Sequence, residues 1–326
     1  MRAVPIRRFA ALLAPLTLAA PALAQEAYPS RPVTLVVTVA PGTVADIVAR
    51  TIGPKLADRL KQPVVIENKV GASGTIGADF VAKAPPNGYT LMLMVNSFSM
   101  VPSLYKKLPY DTVADFTPIS RVATSGYVFV VHAGALNVAS MAELMAAVKV
   151  NPGKYMYGTP GNGTGHHLAM ELFKQQFGLD LVHVPHKAMS GAMTSIVGGH
   201  VHMMFTPTGS VVPQIKAGQL RALAFTGAER SPIAPGVPTF REAGLGFLDD
   251  VDGYWGIMGP ARTPPEIVTR LNRDVAAVMT APDLKEKFAA QGIEPTSSTP
   301  EALGAQIRAD IERWGKVIRN AGIVAD

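Results

Sequence analysis

The sequence predicts an α/β protein built as two units with a cleft between them. Three observations carry this. Short apolar runs rich in β-branched residues alternate with stretches whose apolar residues recur every three to four positions. The runs are continuous rather than apolar-polar alternations, as in strands covered by helices on both faces. The pattern stops near residue 126, starts again, and ends in a long helical stretch over 264–326.

Taken in order, residues 33–39 are apolar and β-branched and predict a strand. Residues 44–60 carry Val44, Val48, Ile52, Leu56 and Leu60 at a four-residue spacing, which is one face of a helix. A second strand is predicted at 63–67. The glycine-rich loop 71–77 leads into a short helix through Lys83, and a third strand covers 89–95. In the second unit strands are predicted at 127–132, 154–157, 181–184, 201–205 and 220–226. The helices between them cover 141–148, 167–177, 188–197 and 211–216. A strand at 253–259 precedes helices at 265–279, 283–291 and 300–320, the last opened by Ser298-Thr299-Pro300-Glu301 with its proline in the first turn. These elements group as 25–126 plus 252–326 in one domain and 127–251 in the other, with crossings near 125–128 and 250–254. In open α/β sheets a ligand sits at the carboxyl ends of strands, where helices begin.

Residues 1–24 read as a secretory signal peptide: Arg2, Arg7 and Arg8, then an apolar run, then Ala22-Leu23-Ala24 as a small-x-small cleavage site. The run is too short to span a bilayer. Three of the 30 Lys and Arg lie in this segment, so the remainder holds 27 against 24 acids, a net charge of +3. Basic residues are scattered without interleaved aromatics, which gives nucleic-acid binding no support. Cysteine is absent, so thiol catalysis, disulfides and cysteine-ligated zinc are excluded.

Two loops carry chemistry. In the first, a strand ends at Pro41-Gly42, Thr43 can cap the following helix, and Asp46 stands three residues later as in a capping box. A helix's first N–H groups and its dipole form an anion site. Asp46 either touches a ligand there or only caps its helix. The second loop, YGTPGNGTGHH at 157–167, lays glycines and threonines before a helix. It matches neither nucleotide-binding glycine fingerprint. It suits a smaller anion such as a carboxylate, and two such loops, one per unit, suit a clamp. His183, His186, His200 and His202 cluster in sequence, and His167 and Glu171 share a helix face, but no carboxylate-rich partner motif accompanies them, so no metal and no cofactor is expected. Met189 and Met193 could line a pocket and Tyr254-Trp255 could floor a cleft. Neither G-x-S-x-G nor H-E-x-x-H occurs, so no enzyme is expected.

The residues resemble the periplasmic solute-binding proteins of tripartite tricarboxylate transporters, the Bug family. The likeness runs through YPSRPVTLVV at 28–37, PG…D at 41–46, PVVIENKVGASGTIGAD at 63–79, PNGYTLML at 86–93 and LYKKLPYD at 104–111. It continues through YGTPGNGT at 157–164, HVP-K at 183–187, IKAGQLRALAFT at 215–226, TPPEIVTRLN at 263–272 and WGKVIRNAGI at 314–323. The resemblance implies a two-domain clamshell of the type II periplasmic-binding-protein kind, each domain a mostly parallel sheet flanked by helices. It also implies a monomer that delivers a small carboxylate to membrane permease subunits without catalysis. Carried over, the ligand residues are Gly42, Thr43 and Asp46 in the first unit and Thr159, Gly161, Gly163 and Thr164 in the second, with Asn96 and Ser97 added at the end of the third strand. The chain departs from the family's usual pattern at Thr43 (usually Gly), Ala45 (usually a hydroxyl), His186 through Met189 (usually Tyr-Lys-Gly-Gly) and Thr206 (often Asp). A hydroxylated ligand such as citrate or malate would leave its hydroxyls unpaired against those methyls and that thioether. An apolar or aromatic body between carboxylates, as in terephthalate, is the expected ligand. The alternatives are an aliphatic di- or tricarboxylate, or a sensing role at a membrane receptor.

Overall fold

In the computed structural model the described residues are 28–324, apart from Ala228, Pro232, Asp249, Asp250, Ala290 and Gln291. The expected signal peptide lies outside them. The first half contains β1 (Val33–Val37), α1 (Val44–Leu60), β2 (Val64–Asn68), α2 (Thr75–Ala82), β3 (Thr90–Val95) and the short α3 (Val101–Leu104). β4 (Phe116–His132) leads into the second half: α4 (Met141–Lys149), β5 (Met156–Thr159), α5 (Gly165–Phe177), β6 (Val182–Pro185), α6 (Met189–Val197), β7 (Met203–Pro207), α7 (Val212–Lys216) and β8 (Leu220–Phe225). β9 (Asp252–Pro260) returns, followed by α8 (Pro265–Met279), α9 (Pro282–Ala289), β10 (Glu294–Pro295) and α10 (Pro300–Ala321).

The strands join in the order β2-β1-β3-β9-β4-β7-β5-β6, with β8 and β10 also pairing β4. β1 pairs β2 and β3 in parallel, and β5 pairs β6 and β7 in parallel. The antiparallel β4 and β9 run between these two sets, so the sheet is mixed. β4 is much longer than the strand expected at 127–132. Its first part, Phe116 to Gly126, pairs with β9, and Tyr127 to His132 pair with β7 and β8. Pro118, Ser120, Arg121, Thr124, Ser125 and Gly126 dilute the apolar signal there, and tertiary pairing overrides the weak local preference. The chain passes between halves where Gly126 stands opposite Asp252.

α1 forms as predicted because Val48, Ile52, Leu56 and Leu60 turn one buried stripe to the sheet. They meet Val33, Leu35 and Val37 of β1 and Val268, Leu271 and Val275 of α8. In the second half Phe129, Tyr157, Leu168, Phe173, Phe205 and Phe240 build a separate core. α10 contributes to both halves. Leu303 and Ile307 pack with Met92, Met94 and Tyr254, while Trp314, Val317 and Ile318 join the second core. Among the described residues no helix is long and apolar enough to cross a membrane.

Candidate functional site

The cleft between the halves holds a cavity of about 620 Å³. Its wall is assembled from places where strands hand over to helices. After β1, Gly42 adopts φ +80°, a left-handed conformation that glycine reaches without strain. Thr43 stands in capping position with extended backbone, but its side chain does not cap α1. The capping box expected from Thr43 is therefore not formed. The Thr43 hydroxyl donates instead to the Ala40 carbonyl (2.8 Å), which closes the turn and leaves the first N–H groups of α1 without a side-chain cap.

Asp46 reaches back behind this turn. Its carboxylate accepts from the Gly42 N–H (2.9 Å), Arg50 Nε (3.0 Å) and Asn68 Nδ2 (3.0 Å), and Asn68 Nδ2 also donates to the Val39 carbonyl (3.0 Å). The Arg50 bond is the first cause holding its acid constant at about 2, below its ordinary 3.8. Asp46 is 4 % exposed and is not part of the cavity wall. It braces the loop that is.

The second loop is braced differently. Thr164 does cap α5, accepting from the His167 N–H (3.4 Å) while donating to the Gly161 carbonyl (2.9 Å). The Gly163 N–H donates to His167 Nδ1 (3.1 Å), which fixes that nitrogen as an acceptor. The His167 ring stacks on His183, ring centres 3.9 Å apart, and His183 Nε2 shares a hydrogen bond with Thr159 Oγ1 (2.7 Å). Burial pushes both imidazoles down to about 4. Beneath them Tyr157 donates its hydroxyl to Glu171, which also accepts from Lys174 Nζ (2.6 Å). Two neutral imidazoles thus underpin the loop.

The floor is aromatic. Tyr127 lies against His166 with ring centres 4.3 Å apart, and Trp255, Met189, Pro160 and Pro207 complete it. Asn96 Nδ2 donates to the Asp252 carbonyl (3.1 Å), tying the end of β3 to the start of β9. Gly165 admits this packing: a Cβ there would stand 2.8 Å from the Tyr127 hydroxyl and 3.2 Å from Asn96 Nδ2. Among the described residues the lining contains no Lys, Arg, Asp or Glu. Positive potential comes from the N-terminal ends of α1 and α5, and hydroxyls from Thr43, Ser97, Ser125, Thr164 and Ser210.

Of the residues expected from the sequence, the cavity brings together Gly42, Thr43, Ala45, Asn96, Ser97, Thr164 and Met189. Gly163 lines an adjoining pocket of about 320 Å³ that shares Val39, Ser97 and Thr164 with the cavity. Asp46, Thr159, Gly161, His186 and Thr206 stand outside the wall; Thr206 is fully buried and donates to the Met189 sulfur (3.7 Å). Trp255 is in the wall, whereas Tyr254 turns away to Asp310 (2.8 Å). Sequence reasoning missed Tyr127, His166, Ser125 and Ser210. Ser125 and Tyr127, like Gly253 and Trp255, are two apart on crossing strands and so share one face. That spacing was the available signal. Among the described residues no group of three or more metal-ligating side chains stands together. His202 accepts the Met156 N–H (3.1 Å) and His200 is exposed.

A tripartite tricarboxylate transporter family receptor model matches residues 48–323. BugT of Bordetella pertussis is 35% identical over 308 residues, covering 94% of this chain and 93% of that protein. An R. palustris protein determined with adipate superposes with a TM-score of 0.76 at 34% identity, covering 91% of this chain and 99% of the other. MatC from Rhodopseudomonas palustris with bound malate gives 0.73 at 29% identity, covering 89% and 100%. This chain therefore belongs to the tripartite tricarboxylate transporter receptor family, whose members are periplasmic solute-binding proteins and not enzymes.

Proposed function

We propose that the cleft captures a small carboxylate with an apolar, best an aromatic, body. A ring dicarboxylate of the terephthalate kind fits this description. The observation that carries the reading is the wall itself: two helix N-termini and several hydroxyls around an aromatic floor, with no charged side chain among the described residues. One carboxylate would take the free N–H groups at the start of α1 beside Thr43. The other would take the start of α5 beside Thr164, while Tyr127 and Trp255 sandwich the body. Ala45, Met189 and Pro207 offer methyl, thioether and ring carbon where a hydroxylated acid would need partners. The adipate-bound neighbour carries an acid with an unsubstituted chain, which favours the same class.

We further propose that residues 1–24 direct export and that the mature chain acts as a monomer. Residues 25–126 with 252–326 would form one moving body and 127–251 the other, bending where β4 and β9 cross at Gly126 and Asp252. The closed form would deliver its ligand to the permease subunits of the transporter. A second reading, an aliphatic hydroxy acid such as malate or citrate, is favoured by the malate-bound neighbour. Thermal melting of residues 25–326 with terephthalate, phthalate, benzoate, nicotinate, adipate, malate and citrate separates them. A ligand at 100 times its Kd adds about 2.7 kcal/mol, a shift of several degrees for a chain this size. Shifts confined to malate and citrate would sink the apolar-body reading. Capture of a receptor's outer domain rather than the permease by the loaded protein would turn delivery into sensing.

A further inference from the structure

Resting on the carboxylate reading above, we propose that His166 is the charge-compensating residue of the cleft, taking a proton from solvent when a dicarboxylate enters and pairing with its second carboxylate.

Among the described residues the wall carries no formal charge, so two helix ends face a dianion without a lining cation. Helix ends supply partial charges only. Among the described residues His166 is the one lining side chain that can become a cation. It sits in the first turn of α5, two residues after Thr164, with its ring against Tyr127. Its Nε2 is buried and has no hydrogen-bond partner among the described residues. Its neighbour His167 is committed to Gly163 and His183, so the two adjacent histidines have separate tasks.

The surroundings keep the imidazole neutral before ligand arrives. Burial alone lowers it to about 4, and no acid or base on α5, β4 or β9 contributes. Tyr127 stays protonated, pushed upward first by burial and also by Asp252. A carboxylate beside the ring reverses this balance, because an opposite charge in a desolvated site favours the charged form. The sign follows. Above the bound-state value neither state carries the proton, and below about 4 both do. Between them the complex holds up to one proton more than the free protein, and affinity rises up to about tenfold for each pH unit lowered.

The test is calorimetric titration of the mature chain at pH 6 with terephthalate, adipate and benzoate. Two buffers of different ionisation enthalpy count the protons. Uptake of roughly half a proton or more per dicarboxylate, with none for benzoate, is expected. His166→Phe should abolish the uptake and weaken terephthalate roughly 10- to 100-fold, leaving benzoate within about threefold. His166→Gln, polar but not titrating, should also lose the uptake, and exposed His200→Ala should keep it. Dicarboxylate binding with no proton uptake in the wild type overturns the inference and leaves the carboxylate reading standing. Failure of all three acids to bind overturns both.

Discussion

Asp46 offers the sharpest separation of bracing from binding. Replacing it with Ala removes the acceptor of the Gly42 N–H, Arg50 Nε and Asn68 Nδ2 together. A carboxyl held at about 2 instead of 3.8 is worth about 2.5 kcal/mol at neutral pH if felt in full. Arg50 is 53 % exposed, so solvent screening reduces this to about 1–2 kcal/mol. That depression already contains the hydrogen bonds from Gly42 and Asn68; leaving those two donors unpaired costs about 1–2 kcal/mol more in total. Asp46→Ala should therefore cost about 2–4 kcal/mol and lower the melting temperature by roughly 5–12 °C. Asp46→Asn, which keeps the shape, should cost about half as much. The native value is depressed, so the contribution is complete above about 4 and is lost as pH falls through about 2. The gap between wild type and Asp46→Asn should be constant from pH 5 to 8 and shrink near pH 3, as melting curves would record. An Asp46→Ala protein that melts like wild type yet no longer binds carboxylates would rule out bracing and put the Asp46 carboxylate on the ligand.

Three further outcomes follow from the geometry. Gly165→Ala drives a methyl against the Tyr127 hydroxyl and Asn96 Nδ2. Overpacking of about 1–3 kcal/mol outweighs the helix-propensity gain of at most about 1, and calorimetry should find affinity reduced at least roughly tenfold as Asn96 is displaced. Trp314, 3 % exposed on the part of α10 that joins the second core, should cost about 3–5 kcal/mol as Trp314→Ala, read by denaturant unfolding. His166, His167 and His183 are held at about 4 by burial, below the ordinary 6.5. The unfolded chain binds more protons between those values, so stability is full above about 6.5 and falls as pH drops toward 4. After discounting His183, which is partly exposed, the fall between pH 7 and pH 5 should be about 2–4 kcal/mol. A flat melting temperature over that range would contradict their burial.

Strongly periodic elements were legible in the sequence. Helices 44–60 and 265–279 were read to the residue, because a four-residue apolar spacing and a proline start leave little room for another reading. The first part of β4 was not legible. Its small and polar residues lie where the strand crosses between halves, and only pairing with β9 makes them a strand. β10, two residues long, has no local signal at all. The loops of the site were legible through their glycines and threonines at strand ends. The floor was legible only in part: Trp255 stands out with Tyr254 as a candidate, whereas Tyr127 in a strand interior reads as core. At Asp46 the sequence leaves capping and binding open; its carboxylate is held by Gly42, Arg50 and Asn68, and Asn68 lies on another element, which no local pattern announces.

An aromatic-floored cleft whose described lining is uncharged should grip a carboxylate with an apolar body. Competitive calorimetric titration of residues 25–326 with terephthalate, adipate, malate and citrate at pH 7 tests it most directly. Terephthalate or adipate should bind at least roughly tenfold tighter than malate or citrate, a difference of about 1.4 kcal/mol or more. Tight citrate or malate binding with no response to terephthalate or adipate would contradict it.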